Sequence, residues 1–155
     1  MRSILTSAVV VAVLSATPAL ALDETKTAAA PPATVRKTIG GFCGIGDRHP
    51  AVETCVLSRK GGRKVRTLSL KGGGTIVEEQ VARDEKTTAY TYALRESPLP
   101  VEGYGSTLSL ATDGKGSKLI WTGSFKAKGA PEAKAEEIVG GICDGGFKGI
   151  TDKAR

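Results

Sequence analysis

The chain has 155 residues, 40% of them hydrophobic and 5% aromatic, which suits one small domain rather than several. Its formal net charge is +6 at pH 7, but the basic residues are spread along the chain without the blocks that are typical of nucleic-acid-binding tails. A nucleic-acid partner is therefore not expected, and a solvated basic surface explains the charge more simply than an acidic partner or an anionic membrane.

The N-terminal segment has the three parts of a secretory signal peptide. Arg2 gives a positive start, residues 4–14 form a short apolar run, and residues 19–21 read Ala-Leu-Ala, which is typical of a cleavage site. The run is well short of the roughly 20 apolar residues that a membrane span needs. We therefore predict a signal peptide over residues 1–21 and one domain over residues 22–155. The location is then periplasmic or secreted, with no stable membrane insertion after cleavage.

The first third of the predicted domain is irregular. Residues 22–30 have the pattern of a poor first strand, and Pro31 and Pro32 favour the start of a helix. Gly40 and Gly41 weaken that helix near its end, and residues 47–50 indicate a turn or a very short helix.

A strand meander follows. Six runs of strand character are separated by short turns rich in glycine, proline and charged residues, which indicates an antiparallel sheet. The predicted strands are residues 52–58, 64–70, 75–82, 87–95, 104–112 and 117–126. Alternation in the last three places large apolar side chains on one face and small or polar ones on the other. A sheet with one apolar face needs a cover.

The C-terminal segment supplies that cover. Pro131 opens a stretch in which apolar residues recur every three or four positions, as in an amphipathic helix. The apolar positions are Ala135, Ile138, Val139, Ile142, Cys143, Phe147 and Ile150. Five glycines interrupt the stretch, and each disfavours a helix by up to about 1 kcal/mol relative to alanine. Close approach of the helix to the sheet would explain them.

The three cysteines are Cys43, Cys55 and Cys143, so at most one internal disulfide can form. Cys43 and Cys55 flank one short segment and are the natural pair in an oxidising compartment. Two buried thiols that pack as small apolar groups are an equally good interpretation.

The order of elements and several short motifs resemble the helix-grip fold of the START-like superfamily. The motifs are residues 30–35 (APPATV), 39–42 (IGGF), 49–52 (HPAV), 74–79 (GTIVEE), 90–92 (YTY), 96–100 (ESPLP) and 121–125 (WTGSF). The chain is most similar to exported bacterial members of the polyketide cyclase/dehydrase and lipid-transport family, which includes a periplasmic accessory protein of methanol oxidation. The resemblance implies an α+β fold in which an antiparallel sheet of six or seven strands wraps around a long C-terminal helix.

The resemblance also implies a ligand cavity between sheet and helix, although the same residues could fill a solid core. The candidate lining residues are Leu68, Leu70, Val77, Tyr90, Tyr92, Leu108, Leu110, Trp121, Phe125, Ile142 and Phe147, with Arg48 and His49 near the entrance. Two loops match the positions of the gate loops of plant hormone receptors, although they could also be ordinary turns. The gate-loop residues are Gly72, Gly73, Gly74, Pro98, Leu99 and Pro100.

The chain departs from the family pattern at three positions. Arg36 and Arg48 stand where such proteins usually have Trp, and Gly41 stands where they usually have Asp. Two arginines near the mouth would favour a carboxylate- or phosphate-bearing amphiphile, because a guanidinium forms forked bonds to such groups.

Three classes of function agree with these patterns. The first is an exported binding protein for a hydrophobic or amphiphilic small molecule, without cofactor or metal. The second is a cyclase- or dehydratase-like enzyme, for which no catalytic residue is assigned because His49 is the only histidine and no nucleophile–base spacing is recognisable. The third is a periplasmic accessory protein that docks to a redox enzyme. An open cavity that no ionisable group faces favours the first class. His49 or a glutamate that points into the cavity with a perturbed pKa favours the second, and a filled cavity with an exposed basic or apolar patch favours the third.

Overall fold

The computed structural model describes residues 18–155, so most of the predicted signal peptide lies outside the described residues. Within them, seven strands form one antiparallel sheet in the order β1-β7-β6-β5-β4-β3-β2. The strands are β1 (Leu20–Ala28), β2 (Val52–Lys60), β3 (Arg63–Leu70), β4 (Thr75–Asp84), β5 (Ala89–Glu96), β6 (Val101–Asp113) and β7 (Gly116–Ala127). The helices are α1 (Pro32–Ile39), α2 (Ile45–Arg48) and α3 (Glu132–Lys153). This arrangement confirms the predicted α+β helix-grip fold.

The first strand is well paired although its sequence is weak. β1 runs antiparallel to β7, with a register that extends from Leu20 opposite Phe125 to Ala28 opposite Ser117. Only Leu22 and Ala28 in β1 are buried, so backbone pairing rather than side-chain packing holds most of its length. The strand begins just before the predicted cleavage point, and cleavage after Ala21 stays a prediction.

Helix α3 is continuous despite its five glycines. A Cβ atom at Gly146 would lie 2.5 Å from Cζ3 of Trp121, and one at Gly149 would lie 1.8 Å from the carbonyl oxygen of Arg48. These two glycines therefore permit a close approach to β7 and to α2. Gly140 and Gly141 have no such neighbour within 4 Å, so close approach does not explain them. No helix in residues 18–155 is long and apolar enough to cross a membrane.

Two apolar clusters lie between the helices and the sheet. The larger one joins α1, α3 and strands β5 to β7, and the smaller one consists of Ile45, Val52, Leu68 and Ile76. Leu94 and Leu99 pack against both clusters. The junction of the two clusters is where the packing is incomplete, and the cavity described below is lined by members of both.

Cys43 and Cys55 form a disulfide that ties the connection between α1 and α2 to strand β2. The two residues are 12 apart in sequence, and closing a loop of this length stabilises a fold by about 3 kcal/mol in the chain-entropy description. The remaining Cys143 is buried in α3, and burial raises the pKa of its thiol to about 12. Cys143 is thus a packing residue rather than a reactive thiol.

Candidate functional site

A cavity of about 260 Å³ lies between α3, the sheet and the loops around residues 49–51 and 97–100. Nearly all of its wall is aliphatic or aromatic. The lining residues are Ile45, His49, Ala51, Val52, Leu68, Leu70, Ile76, Glu78, Tyr92, Leu94, Leu99, Tyr104, Trp121, Ile138, Val139 and Ile142. A pocket with an apolar wall and few polar groups is typical of small-molecule binding sites.

The structure brings together about half of the candidate lining residues. Those that line the cavity are Leu68, Leu70, Tyr92, Trp121, Ile142 and His49, together with Leu99 of the second loop. The prediction for Val77 is wrong by one residue, because Ile76 and Glu78 line the cavity and the alternating pleat turns Val77 to the other face. Glu78 shares the phase of Ile76 along β4, and this signal was available in the sequence.

The other candidates belong to the solid part of the core. Tyr90, Leu108 and Phe147 are buried there, Leu110 packs at its margin, and the ring of Phe147 meets that of Trp121 edge to face at 5.6 Å between centroids. Phe125 lines a separate depression between β1 and α3. The prediction that these five residues line the cavity is wrong, because alternation identifies the face of a residue but not whether the space before it is filled.

The two predicted gate loops contact each other. A Cβ atom at Gly74 would lie 3.4 Å from Cγ of Pro98, so the loop of Gly72, Gly73 and Gly74 rests on the loop of Pro98, Leu99 and Pro100. Gly73 and Gly74 have φ of +86° and +94°, which favours glycine there. Only Leu99 of these residues reaches the cavity wall. Opening of the loops stays a prediction.

His49 lines the cavity with both ring nitrogens engaged. Its Nδ1 accepts a hydrogen bond from the backbone N–H of Ala51 at 3.2 Å, so Nε2 carries the proton and donates to the carbonyl of Ile142 at 3.0 Å. Burial lowers the pKa of His49. The hydrogen bond to Ile142 raises it in part, whereas the nearby charges of Arg48 and Arg66 lower it further. The imidazole is therefore neutral and has no free nitrogen for a substrate proton.

Acidification is expected to destabilise the fold through His49. The pKa of His49 is lowered in the folded chain. As the pH falls, His49 therefore takes up a proton first in the unfolded chain, at about pH 6.5. The free energy of unfolding should fall as the pH drops through and below that value. Urea unfolding between about pH 7.5 and 5.5 measures the slope, which His49→Gln should flatten. An equal slope in both proteins would assign the effect to other groups.

Glu78 and Arg66 form an ion pair at the cavity wall that sequence analysis missed. Arg66 is 1% exposed, and its Nε donates to Oε2 of Glu78 at 2.5 Å while Nη1 donates to the carbonyl of Phe42 at 2.5 Å. The guanidinium carbon lies 4.2 Å from the ring centroid of Phe42 and 5.1 Å from that of Tyr92. Burial opposes the charge of Arg66, but Glu78, Tyr90 and Tyr92 together outweigh burial and raise the pKa of the guanidinium.

Two tyrosines complete the polar groups of the wall. Nε1 of Trp121 donates to the hydroxyl of Tyr92 at 2.9 Å. Burial raises the pKa of Tyr92 well above its ordinary value and that of Tyr104 to about 12. Both hydroxyls therefore stay protonated at any physiological pH.

Arg36 and Arg48 do not face the cavity. Arg36 is exposed and its Nη2 donates to the carbonyl of Lys86 at 3.2 Å. Arg48 is 4% exposed, and its Nη2 donates to the hydroxyl of Tyr90 at 2.9 Å. Neither arginine lines the cavity, so no contact of the structure supports the prediction that they select an anionic headgroup at its mouth, and that selection stays untested. Among residues 18–155, no three His, Cys, Asp or Glu side chains are placed to hold a metal ion.

Residues 19–155 match the family model described as polyketide cyclase / dehydrase and lipid transport. The chain belongs to this family. The resemblance recognised from the short motifs is thereby confirmed, and it extends over the whole described domain. No match to a curated protein was found for the sequence.

Several solved structures of bacterial proteins are similar in fold to this chain. An uncharacterised protein from Bacillus thuringiensis is 29% identical with a TM-score of 0.78, over 86% of this chain and 97% of that one. XoxI from Bacillus cereus is also 29% identical with a TM-score of 0.78, over 85% and 93%. The ZhuI aromatase/cyclase from Streptomyces sp. R1128 is 18% identical with a TM-score of 0.67, over 88% and 92%, and supports the fold alone.

Proposed function

We propose that this family member binds a small hydrophobic or amphiphilic molecule in the cavity between α3 and the sheet. The observation that carries the proposal is an apolar space of about 260 Å³ left at the junction of two otherwise well-packed clusters. Protein interiors are normally packed without such voids, since an empty space forfeits contacts on all its walls. An apolar molecule in this space would recover those contacts.

The cavity volume limits the size of the ligand. An apolar cavity of roughly 150 Å³ can hold benzene, and pockets for drug-sized molecules begin near about 300 Å³. The cavity lies between these values. We therefore expect a molecule of one or two rings, or a short branched chain, or the end of a longer chain that leaves through the mouth beside Leu99 and Ala51.

A cyclase or dehydratase activity is the second candidate, because Glu78 brings a carboxylate to the cavity wall. Two contacts count against it. Arg66 already bonds one oxygen of the Glu78 carboxylate, and both nitrogens of His49 are engaged in hydrogen bonds to the backbone. Binding without chemistry is the function that these contacts support better.

We further propose that binding takes place outside the cytoplasm, in the periplasm or after secretion. The pattern of residues 1–21 supports export. The disulfide of Cys43 and Cys55 supports it independently, because structural disulfides are characteristic of oxidising compartments.

Filling the cavity is expected to abolish ligand retention without unfolding the protein. In Ile142→Trp the larger ring would project from α3 into the space, and cavity filling commonly leaves stability equal or higher. Ala133→Trp, on an exposed position of the same helix, is the matched control. Native mass spectrometry of each protein purified from the periplasm measures the co-purifying molecule and the chain mass, which should begin at Leu22.

A stoichiometric passenger in the wild type and in Ala133→Trp, but not in Ile142→Trp, is the expected result. A bare wild-type protein that also shows no thermal shift with a panel of lipids and aromatic compounds would contradict the proposal. It would favour a docking protein whose cavity has no ligand.

A further inference from the structure

Glu78 presents an unpaired carboxylate oxygen to an otherwise apolar space. Its Oε2 accepts the bond from Arg66, whereas Oε1 accepts no hydrogen bond from any group of residues 18–155. The side chain is 9% exposed and forms part of the cavity wall. A carboxylate oxygen in an apolar environment strongly favours a hydrogen-bond donor.

The other polar groups of the wall do not satisfy this oxygen. Both nitrogens of His49 are bonded to the backbone, and neither the hydroxyl of Tyr92, which accepts the indole N–H of Trp121, nor that of Tyr104 is hydrogen-bonded to Glu78. A bound molecule can therefore supply the donor. Glu78 therefore acts as a polar subsite within the cavity that the proposed function assigns to an apolar ligand.

The charges around the subsite distinguish between possible donors. Arg48 and Arg66 both lie close enough to His49 to disfavour its protonation. The negative charge of Glu78 offsets only one of these two positive charges. The surroundings are thus net positive, which disfavours an ammonium group. A carboxylate or phosphate would meet the unpaired oxygen of Glu78 directly and be repelled. A neutral hydroxyl avoids both penalties.

We propose that the cavity selects a neutral hydrophobic molecule with one hydroxyl group, an alcohol or a phenol, which donates to Oε1 of Glu78. This inference rests on the proposed function and names the chemical class of its ligand. The O–H···O⁻ bond fixes the orientation of the molecule, with the hydroxyl end at β4 and the apolar body against α3 and Trp121.

A series of two-ring probes of nearly equal shape tests the inference on the wild-type protein. The probes are naphthol, methoxynaphthalene, naphthalene, naphthoate and naphthylmethylammonium, with dissociation constants measured by calorimetry. Naphthol should bind at least about tenfold more tightly than methoxynaphthalene or naphthalene, as expected for a net hydrogen bond to a charged group. The two charged probes should bind more weakly than naphthol.

The double variant Arg66→Met/Glu78→Met removes the subsite as a unit, since replacing a whole buried ion pair by apolar residues is often tolerated. The ratio of the naphthalene and naphthol dissociation constants should then fall to about one, whereas the exposed pair variant Lys148→Met/Asp152→Met should keep the wild-type ratio. An unchanged ratio in the first variant would overturn the role of Glu78.

The remaining outcomes separate the two proposals. Equal binding of naphthol, methoxynaphthalene and naphthalene to the wild type would overturn the hydroxyl subsite and leave the binding function standing. Tighter binding of naphthoate than of naphthol would overturn the neutral ligand class. Binding of none of the five probes would overturn the apolar binding function itself, and the subsite with it.

Discussion

Gly149→Ala is expected to lower the free energy of unfolding by about 3 kcal/mol or more. A methyl group at this position would lie 1.8 Å from the carbonyl oxygen of Arg48, which belongs to the backbone and cannot rotate away. Helix α3 would have to separate from α2, and His49 and Ile142 would lose the hydrogen bond that joins the two segments. Urea unfolding at neutral pH measures the loss.

The same helix offers a matched control in Gly141→Ala. No atom lies within 4 Å of the added methyl group, so the substitution should stabilise the protein by about 0.5–1 kcal/mol through helix propensity. Opposite signs for the two variants are expected. A mild effect at Gly149, similar to that at Gly141, would show that α3 and α2 are not held as closely as the structure has them.

Arg66→Met is expected to destabilise the protein by about 3–5 kcal/mol, because it leaves the Glu78 carboxylate without its partner in a buried position. The backbone carbonyl of Phe42 would lose its donor at the same time. In the double variant Arg66→Met/Glu78→Met the unpaired charge is absent, so much of the loss should be recovered. Chemical unfolding of both variants gives the two free energies.

Two comparisons keep this prediction specific. Lys148→Met removes one partner of an exposed pair on α3 and should change stability far less. If the double variant is as unstable as Arg66→Met alone, the loss comes from the packing of the guanidinium on Phe42 and Tyr92 rather than from the unpaired carboxylate. The attribution to charge would then be wrong.

Local patterns predicted the secondary structure well. Three local patterns agree with the structure: the alternation along the predicted strand 87–95, the glycine-rich turns between strands and the periodicity from Ala135 to Ile150. Each depends on neighbours in sequence, and β5, the short connections between strands and α3 are found where they were predicted. The weak first strand was harder to recognise, since pairing with β7 and not its own side chains determines it.

The candidate site was predicted less well because a cavity is a property of several elements at once. Leu108 and Tyr92 both lie on the inner face, yet only Tyr92 borders the open space, since Leu108 is covered completely. Glu78 was not among the candidate lining residues, although its phase along β4 matches that of Ile76. Its burial is made possible by Arg66, which comes from the neighbouring strand β3.

The sequence by itself determined the elements, their order and the family, because turn residues, apolar periodicity and short motifs are local. Only the tertiary structure decided which inward-facing side chains fill the core and which border the cavity, and that Arg48 bonds Tyr90 while Arg66 bonds Glu78. The physical reason is that void space and the pairing of buried charges depend on how α2, α3 and the sheet meet, at distances that no spacing along the chain specifies.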